Sequence, residues 1–502
     1  MFSAFLNCLK IPELRQRIML TLGLLFVVRV GAHIPLAGLD PTPLHTYYEQ
    51  IARQQGGGVL GLVNMFTGGA LLSGSILTLG IMPYISASII LQLLSAVEPH
   101  LARMAQEGDV GRQKIAQYTR YATIVIAIVQ GLMVLGSLAY HPDRMFVGYS
   151  VEKYGQIVFA DPVWFMISGV IILTAGTMLL MWVGEQITQF GIGNGVSLLI
   201  TVNILASLPR AATMAWNMIF APIGAEDGSL DPVQLLMMFV LLVAVIAGIV
   251  ALTQGQRKIP VQYAKRVVGR RVFQGQSSYL PLKVNYSGVM PVIFASAILL
   301  FPQQAFYYLN AWFKISFFQN MSEALSRGST WFYVGYAILI FGFSFFWVSL
   351  MFRPIQVADD LKKYGGYIPG VPPGEPTAKF LDFTMTRLTF AGAIFLTIIA
   401  VLPDTLTYLN HVPYQIAQFF GGTGTLIMVG VLLDTMRQVE TFLLQRHYDG
   451  FLSKGRAKNR NTGRAVQTLD RQEIRNLRPL WIPLIVLFAL GLLAWFLNQN
   501  AA

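Results

Sequence analysis

The chain has 502 residues, of which 54% are hydrophobic and only 12% charged, and its formal net charge is +12. A soluble domain carries about 25% charged residues, so water is excluded as the only solvent. Cys8 is the single cysteine, which rules out an internal disulfide framework and a thiolate metal cage; the six histidines (His33, His45, His100, His141, His411, His447) have no ligand spacing, so neither a metal site nor a cofactor is expected.

In chain order, residues 1–17 come first, with Phe2, Phe5, Leu6 and Leu9 at helical spacing. They predict a short amphipathic helix lying on the membrane surface, with a disordered start as the alternative. A cleavable signal peptide is not expected, because Lys10, Arg15 and Arg17 follow the first apolar residues instead of preceding an apolar core. A helix needs about 20 mostly apolar residues to cross the hydrocarbon core. Runs of this kind predict spans at 18–34, 76–97, 122–139, 163–183 and 196–208, then at 235–252, 288–309, 332–352, 388–402 and 416–433. Arg29 is the only Lys, Arg, Asp or Glu inside these ten segments. Lys and Arg in the connecting segments fall 29 on one side and 6 on the other. The positive-inside rule places the richer side, and the N-terminus, in the cytoplasm. An eleventh apolar run, 480–497, follows a basic tail at 446–479. It predicts a further helix at the C-terminus, with an amphipathic or buried tail helix as the rival.

Two connecting stretches stand apart. Gly56, Gly57 and Gly58 open the segment 59–75, which is apolar but too short and glycine-rich to span. Non-helical backbone at membrane depth persists only when buried in protein or lining a watery cavity, so a re-entrant segment is expected, against a lipid-facing loop. The loop 353–387 carries Gly365, Gly366, Pro369, Pro372, Pro373 and Pro376 and reads as a stiff hairpin projecting into the cytoplasm. Ten spans divide into two fives, 18–210 and 211–445, and an odd number per half inverts the halves. Inverted halves place a pathway at their interface near the midplane.

Seven motifs occur in register along the chain: NMFTGGALLSGSILTLGIMPYISASIILQLL from Asn64, GRQKIAQYTRY from Gly111, EQITQFGIGNGVSLLI from Glu185, GQRKIPVQYAKR from Gly255, LPLKVNYSGVMPVIFAS from Leu280, ADDLKKYGGYIPGVPPGEPTAKFLD from Ala358 and GGTGTLIMVGVLLD from Gly421. Through them the chain resembles the SecY family, channel subunits of the bacterial protein translocase. The resemblance implies an all-α, polytopic membrane protein: a ten-helix clamshell of two inverted five-helix halves, to which the C-terminal run adds an eleventh helix. It implies a protein-conducting channel of the bacterial inner membrane that passes unfolded secretory polypeptides and releases apolar segments sideways into the lipid bilayer. The implied partners are the small membrane subunits SecE and SecG, the motor ATPase SecA, the translating ribosome, and the signal peptides of preproteins.

By motif match, the resemblance assigns a pore ring to Ile81, Ile85, Ile200, Ile293 and Ile427, and a plug to 62–72 that includes Asn64, Met65, Phe66, Thr67, Gly68 and Gly69. A ring of branched aliphatics excludes water by dewetting while offering a passing chain no hydrogen bond. Gly68, Gly69 and Gly74 allow the backbone angles and close packing of a small movable element. Ser86, Gln92, Gln130 and Phe301 are assigned to a lateral gate, whose two facing helices Pro83 and Pro291 are expected to kink. Gln92 and Gln130 equally suit plain interhelical hydrogen bonding.

Partner docking is assigned to the loop 253–287, with Arg257, Lys258, Lys265, Arg266, Arg270 and Arg271, and to Pro373, Gly374 and Glu375 in 353–387. The basic cluster suits ribosomal RNA phosphates, an acidic motor protein, or simple topology signalling. One departure from the family is Pro372, where an arginine usually precedes Pro-Gly; Lys362, Lys363 and Lys379 are the nearby candidates to replace its contact. A secondary transporter would need ionisable groups at the midplane, and only Arg29 is inside a span, with His33 near an end. No nucleophile–base motif or Walker loop is present, so no enzymatic activity is assigned.

Overall fold

A computed structural model describes residues 11–53, 64, 66–140, 142, 146, 149–219, 232–263, 266–268, 271–273, 277–313, 315–325, 329–410, 414–419 and 421–456. In chain order the elements are α1 (Pro12–Gly31), α2 (Thr42–Arg53), α3 (Met82–Val97), α4 (Pro99–Gln106), α5 (Asp109–Tyr140), α6 (Val151–Tyr154), α7 (Pro162–Phe190), α8 (Gly195–Ile219) and α9 (Pro232–Gln254). Four strands follow, β1 (Gln256–Tyr263), β2 (Arg266–Val268), β3 (Arg271–Phe273) and β4 (Ser277–Lys283). The rest is α10 (Met290–Phe313), α11 (Ser316–Ala324), α12 (Thr330–Met351), α13 (Pro354–Lys363), β5 (Gly366–Tyr367), α14 (Glu375–Asn410), α15 (Tyr414–Ala417) and α16 (Gly422–Arg456).

Each of the ten expected spans overlaps a helix, and the fold is predominantly helical. Among the described residues, six helices are long and apolar enough to cross a membrane by length and composition, and Met82–Ser95 is a shorter apolar one. Their outward faces carry large apolar side chains, among them Val125, Ile171, Phe239, Ile338 and Ile398. Helices that are apolar on the outside as well as within belong in lipid. Of the expected surface segment 1–17, residues 1–10 lie outside the described residues and residues 12–17 belong to α1; the expected helix at 480–497 lies outside the described residues.

The chain separates into two compact units, Met1–Ala212 with Val431–Ala502, and Thr213–Gly430. In the first, α7 packs on α5 and α1, and α5 on α3. Lipid tails give apolar helices little reason to prefer one another, so close packing at small residues carries the association. Gly169, Gly176 and Gly184 supply it along α7. A Cβ on Gly169 would lie 2.6 Å from Leu135 Cδ1 of α5, one on Gly176 2.3 Å from the carbonyl oxygen of Ile76, and one on Gly184 3.3 Å from Val196 Cγ2 of α8. Beyond the helix ends, Tyr47, Phe146, Tyr149 and Tyr154 form an aromatic cluster, with Tyr47 edge-on to the other three at 5.4–5.6 Å.

In the second unit, Val292, Ile340, Leu396, Ile249 and Leu426 form the core between α9, α10, α12, α14 and α16. A three-stranded antiparallel sheet of order β4-β1-β5 stands on it. The sheet alternates, with Ile259 and Val261 of β1 and Leu282 of β4 turned onto Val348, Phe352, Leu381 and Met385. These strands were not anticipated by the helical reading. Nor is 353–387 a hairpin: most of it is α13, the two-residue β5 and the first turns of α14. Because β5 pairs with β1 through Gln262 and Tyr367 and through Tyr263 and Gly366, the two loops expected to dock partners share one sheet.

Three further expectations are corrected. Pro83 and Pro291 do not kink their helices; both occupy the first turn, where a missing N–H leaves no intrahelical bond unmade. Prolines inside helices are instead Pro209, Pro302 and Pro403. The expected span 76–97 is helical only from Met82, and 416–433 is broken between α15 and α16, where Thr425 Oγ1 lies within hydrogen-bonding distance of the carbonyls of Gln418, Phe419 and Gly421.

Candidate functional site

Between α2 and α3 the backbone from residue 68 to residue 81 runs as successive turns, and almost all of it is buried. Side-chain bonds to nearby backbone compete here with a helical ladder. Thr67 Oγ1 donates to the Asn64 carbonyl at 3.2 Å, Thr78 Oγ1 donates to the carbonyls of Ser75 and Ala70, and Ser75 Oγ accepts from the Leu77 amide at 3.1 Å. Gly74 sits at φ +51°, a conformation L side chains rarely adopt, and its Cβ position lies 2.3 Å from Leu39 Cδ2. The segment is fastened at its far end to the turn after α1. The Leu36 amide donates to Gly74 O at 2.8 Å and the Ile76 amide to Ile34 O at 3.0 Å.

Of the expected plug residues, Asn64, Phe66, Thr67 and Gly68 are buried, Gly69 is half-buried, and Met65 lies outside the described residues. The Asn64 Oδ1 is buried and has no partner among the described residues. Two donors reach the segment from other helices: Arg29 Nη1 donates to Gly68 O at 3.0 Å, and Asn203 Nδ2 donates to Phe66 O at 2.8 Å. The sequence reading singled out Arg29 as the lone charge in a span but passed over Asn203, although an amide inside an apolar run is the same signal that marked Gln92 and Gln130.

All five expected ring isoleucines are buried. Ile81, Ile85 and Ile200 belong to the first unit, Ile293 and Ile427 to the second. They share a structural position. Ile81 is the N-cap of α3, and the other four lie in the first two turns of α3, α8, α10 and α16.

Ser86 is buried on α3, and Gln130 is half-buried on α5. Gln92 Nε2 donates to Ser88 Oγ at 3.0 Å on its own helix, and its Oε1 is buried with no partner among the described residues. Phe301 is on α10.

Arg257 and Lys258 are exposed on β1, opposite Leu282 and Pro281 of β4. Arg266 and Arg271 are on β2 and β3, which pair antiparallel, while Lys265 and Arg270 lie outside the described residues. Pro373 and Glu375 are exposed at the start of α14, and Gly374 between them has φ +102°. The Pro372 carbonyl accepts from Thr377 Oγ1 at 2.8 Å. Lys379 is paired with Glu375 at 2.8 Å and Lys363 with Asp360 at 3.7 Å.

A buried, non-helical segment within a bundle of lipid-facing helices is the architecture of a multi-pass membrane channel. The comparisons agree. The solved structure of a protein-conducting channel aligns with a TM-score of 0.55 at 17% identity, covering 85% of this chain and 91% of that one. Sec61 in a canine ribosome–channel complex from the endoplasmic reticulum aligns at 0.52, also at 17% identity, covering 85% and 91%; both show a shared fold. The SecY family model matches residues 75–436. The protein translocase subunit SecY of Chlamydia trachomatis serovar D is 42% identical over 453 residues, covering 90% of this chain and 98% of the relative. That of Escherichia coli K12 is 42% identical over 446 residues, covering 89% and 95%. The chain belongs to the SecY family and is a multi-pass protein of the bacterial inner membrane.

Proposed function

We propose that the chain is the protein-conducting channel of the translocase, through which unfolded secretory polypeptides cross the membrane and from which apolar segments leave sideways into lipid. The observation that carries this reading is the buried non-helical segment 68–81, because irregular backbone among membrane helices persists only where protein buries it or where it lines a cavity. Asn64, Met65, Phe66, Thr67, Gly68 and Gly69 form its plug. Ile81, Ile85, Ile200, Ile293 and Ile427 form the ring, supported by their burial and their common place at helix starts. Ser86, Gln92, Gln130 and Phe301 serve the lateral gate. The two halves make the clamshell, with the N-terminus in the cytoplasm, and 480–497 makes an eleventh helix.

The channel performs no bond chemistry, so a partner supplies the energy. The basic β1–β4 hairpin and the 373–375 turn, joined in one body by β5, form the docking surface for the motor SecA and the ribosome; SecE and SecG complete the membrane complex. Replacing Ile293 or Ile427 with Asn wets the ring and favours the open state. Such variants are expected to admit substrates with defective signal sequences and to leak ions. Wild-type stringency and leak in both would remove the ring assignment. A cysteine pair at Ser86 and Phe301, in a Cys8→Ser background, tests the gate: a crosslink in the resting channel that blocks insertion of apolar segments is expected, and its absence in folded preparations counts against the pairing.

A further inference from the structure

In the buried segment 64–81 no continuous helical ladder supplies donors to the backbone carbonyls, and each buried carbonyl needs one. Several are met from within: the Gly69 amide bonds Asn64 O at 3.0 Å, the Ser73 amide bonds Gly69 O at 3.2 Å, and the Ser75 amide bonds Ala70 O at 3.0 Å. The carbonyls of Phe66 and Gly68 are met from outside. Their donors, Asn203 of α8 and Arg29 of α1, stand 137 and 39 residues away in sequence. They converge on one glycine, since a Cβ at Gly68 would lie 2.5 Å from Arg29 Nη1 and 2.8 Å from Asn203 Oδ1. Gly68 also has φ +66°, so the position demands glycine both for its backbone angle and for the room it leaves the two donors.

Arg29 is the only Lys, Arg, Asp or Glu within the ten apolar segments, and such a residue is costly there unless it is partnered. Among the described residues it makes no ion pair with a carboxylate; its acceptor is the Gly68 backbone carbonyl. Asn203 is buried and spends its amide on the neighbouring turn. We infer that Arg29 and Asn203 are positioning residues, a two-point latch that grips the backbone carbonyls of Gly68 and Phe66 and holds the segment in place at rest. The latch rests on the reading of this segment as the plug. It grips main chain, so apart from Gly68 it is indifferent to the side chains of the plug. The bonds of Gly74 and Ile76 to Leu36 and Ile34 hold the other end, and a released segment swings from that anchor.

The test is resting ion conductance of the channel complex in planar bilayers, together with export of a substrate whose signal sequence is defective. Arg29→Gln and Asn203→Leu are each expected to raise the resting leak about tenfold, the shift in a closed–open equilibrium that loss of one hydrogen bond of ordinary net strength produces. Arg29→Lys, which keeps a charged donor, recovers part of the seal. The same substitutions are then made in a chain lacking 64–72, or, if that chain does not accumulate, in Gly68→Val, whose side chain displaces both donors. In that background they are expected to add nothing. Unchanged leak in the intact chain, or an equal increment in the plugless one, overturns the latch. If removing 64–72 itself leaves the leak unchanged, the plug reading fails, and the latch with it.

Discussion

Two parts of this protein depart from the membrane helix, and they solve the same problem in opposite ways. The segment 64–81 of the first unit is buried, and its backbone groups are met partly by short turn bonds such as Ser73 N–H to Gly69 O and partly by single side chains, Thr67, Thr78, Arg29 and Asn203. The sheet of the second unit meets its backbone groups through a ladder running from Gln256 opposite Lys283 to Gln262 opposite Ser277, and only its inner face needs a core. Side-chain bonds can be broken singly, whereas a ladder and its core yield together. Buried irregular backbone is therefore built from individual bonds, and the platform from a sheet.

The largest effect expected is on the sheet. Leu381 is fully buried beneath it, and Leu381→Ala should cost about 2–5 kcal/mol, read as a lowered unfolding midpoint with increased proteolysis in 256–283. A local loss confined to β5 would break the comparison, since the sheet is expected to fail as a whole. Next comes Gly176→Ala. The new methyl meets the Ile76 carbonyl rather than a flexible side chain, and overpacking of this kind costs about 1–3 kcal/mol. Here the readout should divide: helix content stays, while 76–81 becomes accessible to cysteine labelling in a Cys8→Ser background.

A third measurement sharpens the contrast between an arginine that grips backbone and one that pairs with a carboxylate. Arg120 is bidentate to Glu185, at 3.1 and 2.7 Å, linking α5 to α7, but their side chains are 43% and 22% exposed. A double-mutant cycle with Arg120→Met and Glu185→Gln should give about 1 kcal/mol or less, and no rise in resting leak. A leak as large as that from Arg29→Gln would mean that charge in general, not the grip on the segment, maintains the seal.

The smallest effect is expected at Tyr149, whose hydroxyl donates to Gly155 O at 2.8 Å. Burial, then the charges of Asp40 and Tyr154, push its pKa up to about 12. The folded state keeps this proton longer than the unfolded chain, so the neutral phenol's contribution is complete below about pH 10 and is lost as pH rises toward 12. The difference absorbance titration of wild type and Tyr149→Phe should show no phenolate from this residue at pH 10.5; a midpoint near 10 would contradict its burial.

The helices were legible in the sequence because apolar runs report on lipid directly. The first turns were not. Pro83 and Pro291 read as kinks only if the helix is assumed to begin earlier, and hydropathy cannot distinguish an apolar turn such as 76–81 from an apolar helix. The strands were missed for a related reason. In β1 and β4 the burial alternates around Ile259, Val261 and Leu282, a period of two that the basic charges on the same stretch obscured. At the candidate site, isolated polar residues in apolar runs were the useful signal. Arg29 was visible through its charge, whereas Asn203 passed unread although its amide is the same signal that marked Gln92 and Gln130.

The short loop between α7 and α8 shows how the order of synthesis enters the structure. Its Ile192 amide is held by Thr21 Oγ1 of α1 at 3.2 Å, and its Gly193 amide by Gln438 Oε1 of α16 at 2.8 Å. Thr21 precedes the loop by 171 residues, and Gln438 follows it by 245. Leu14 and Ile192 pack together beside Val439 and Leu443, so α1 and α16 close over the same loop. A nascent chain that has emerged only as far as Gly430 possesses the early clasp but not the late one. The first unit therefore finishes assembling only after the whole second unit has been translated, and α16 is the helix that completes it.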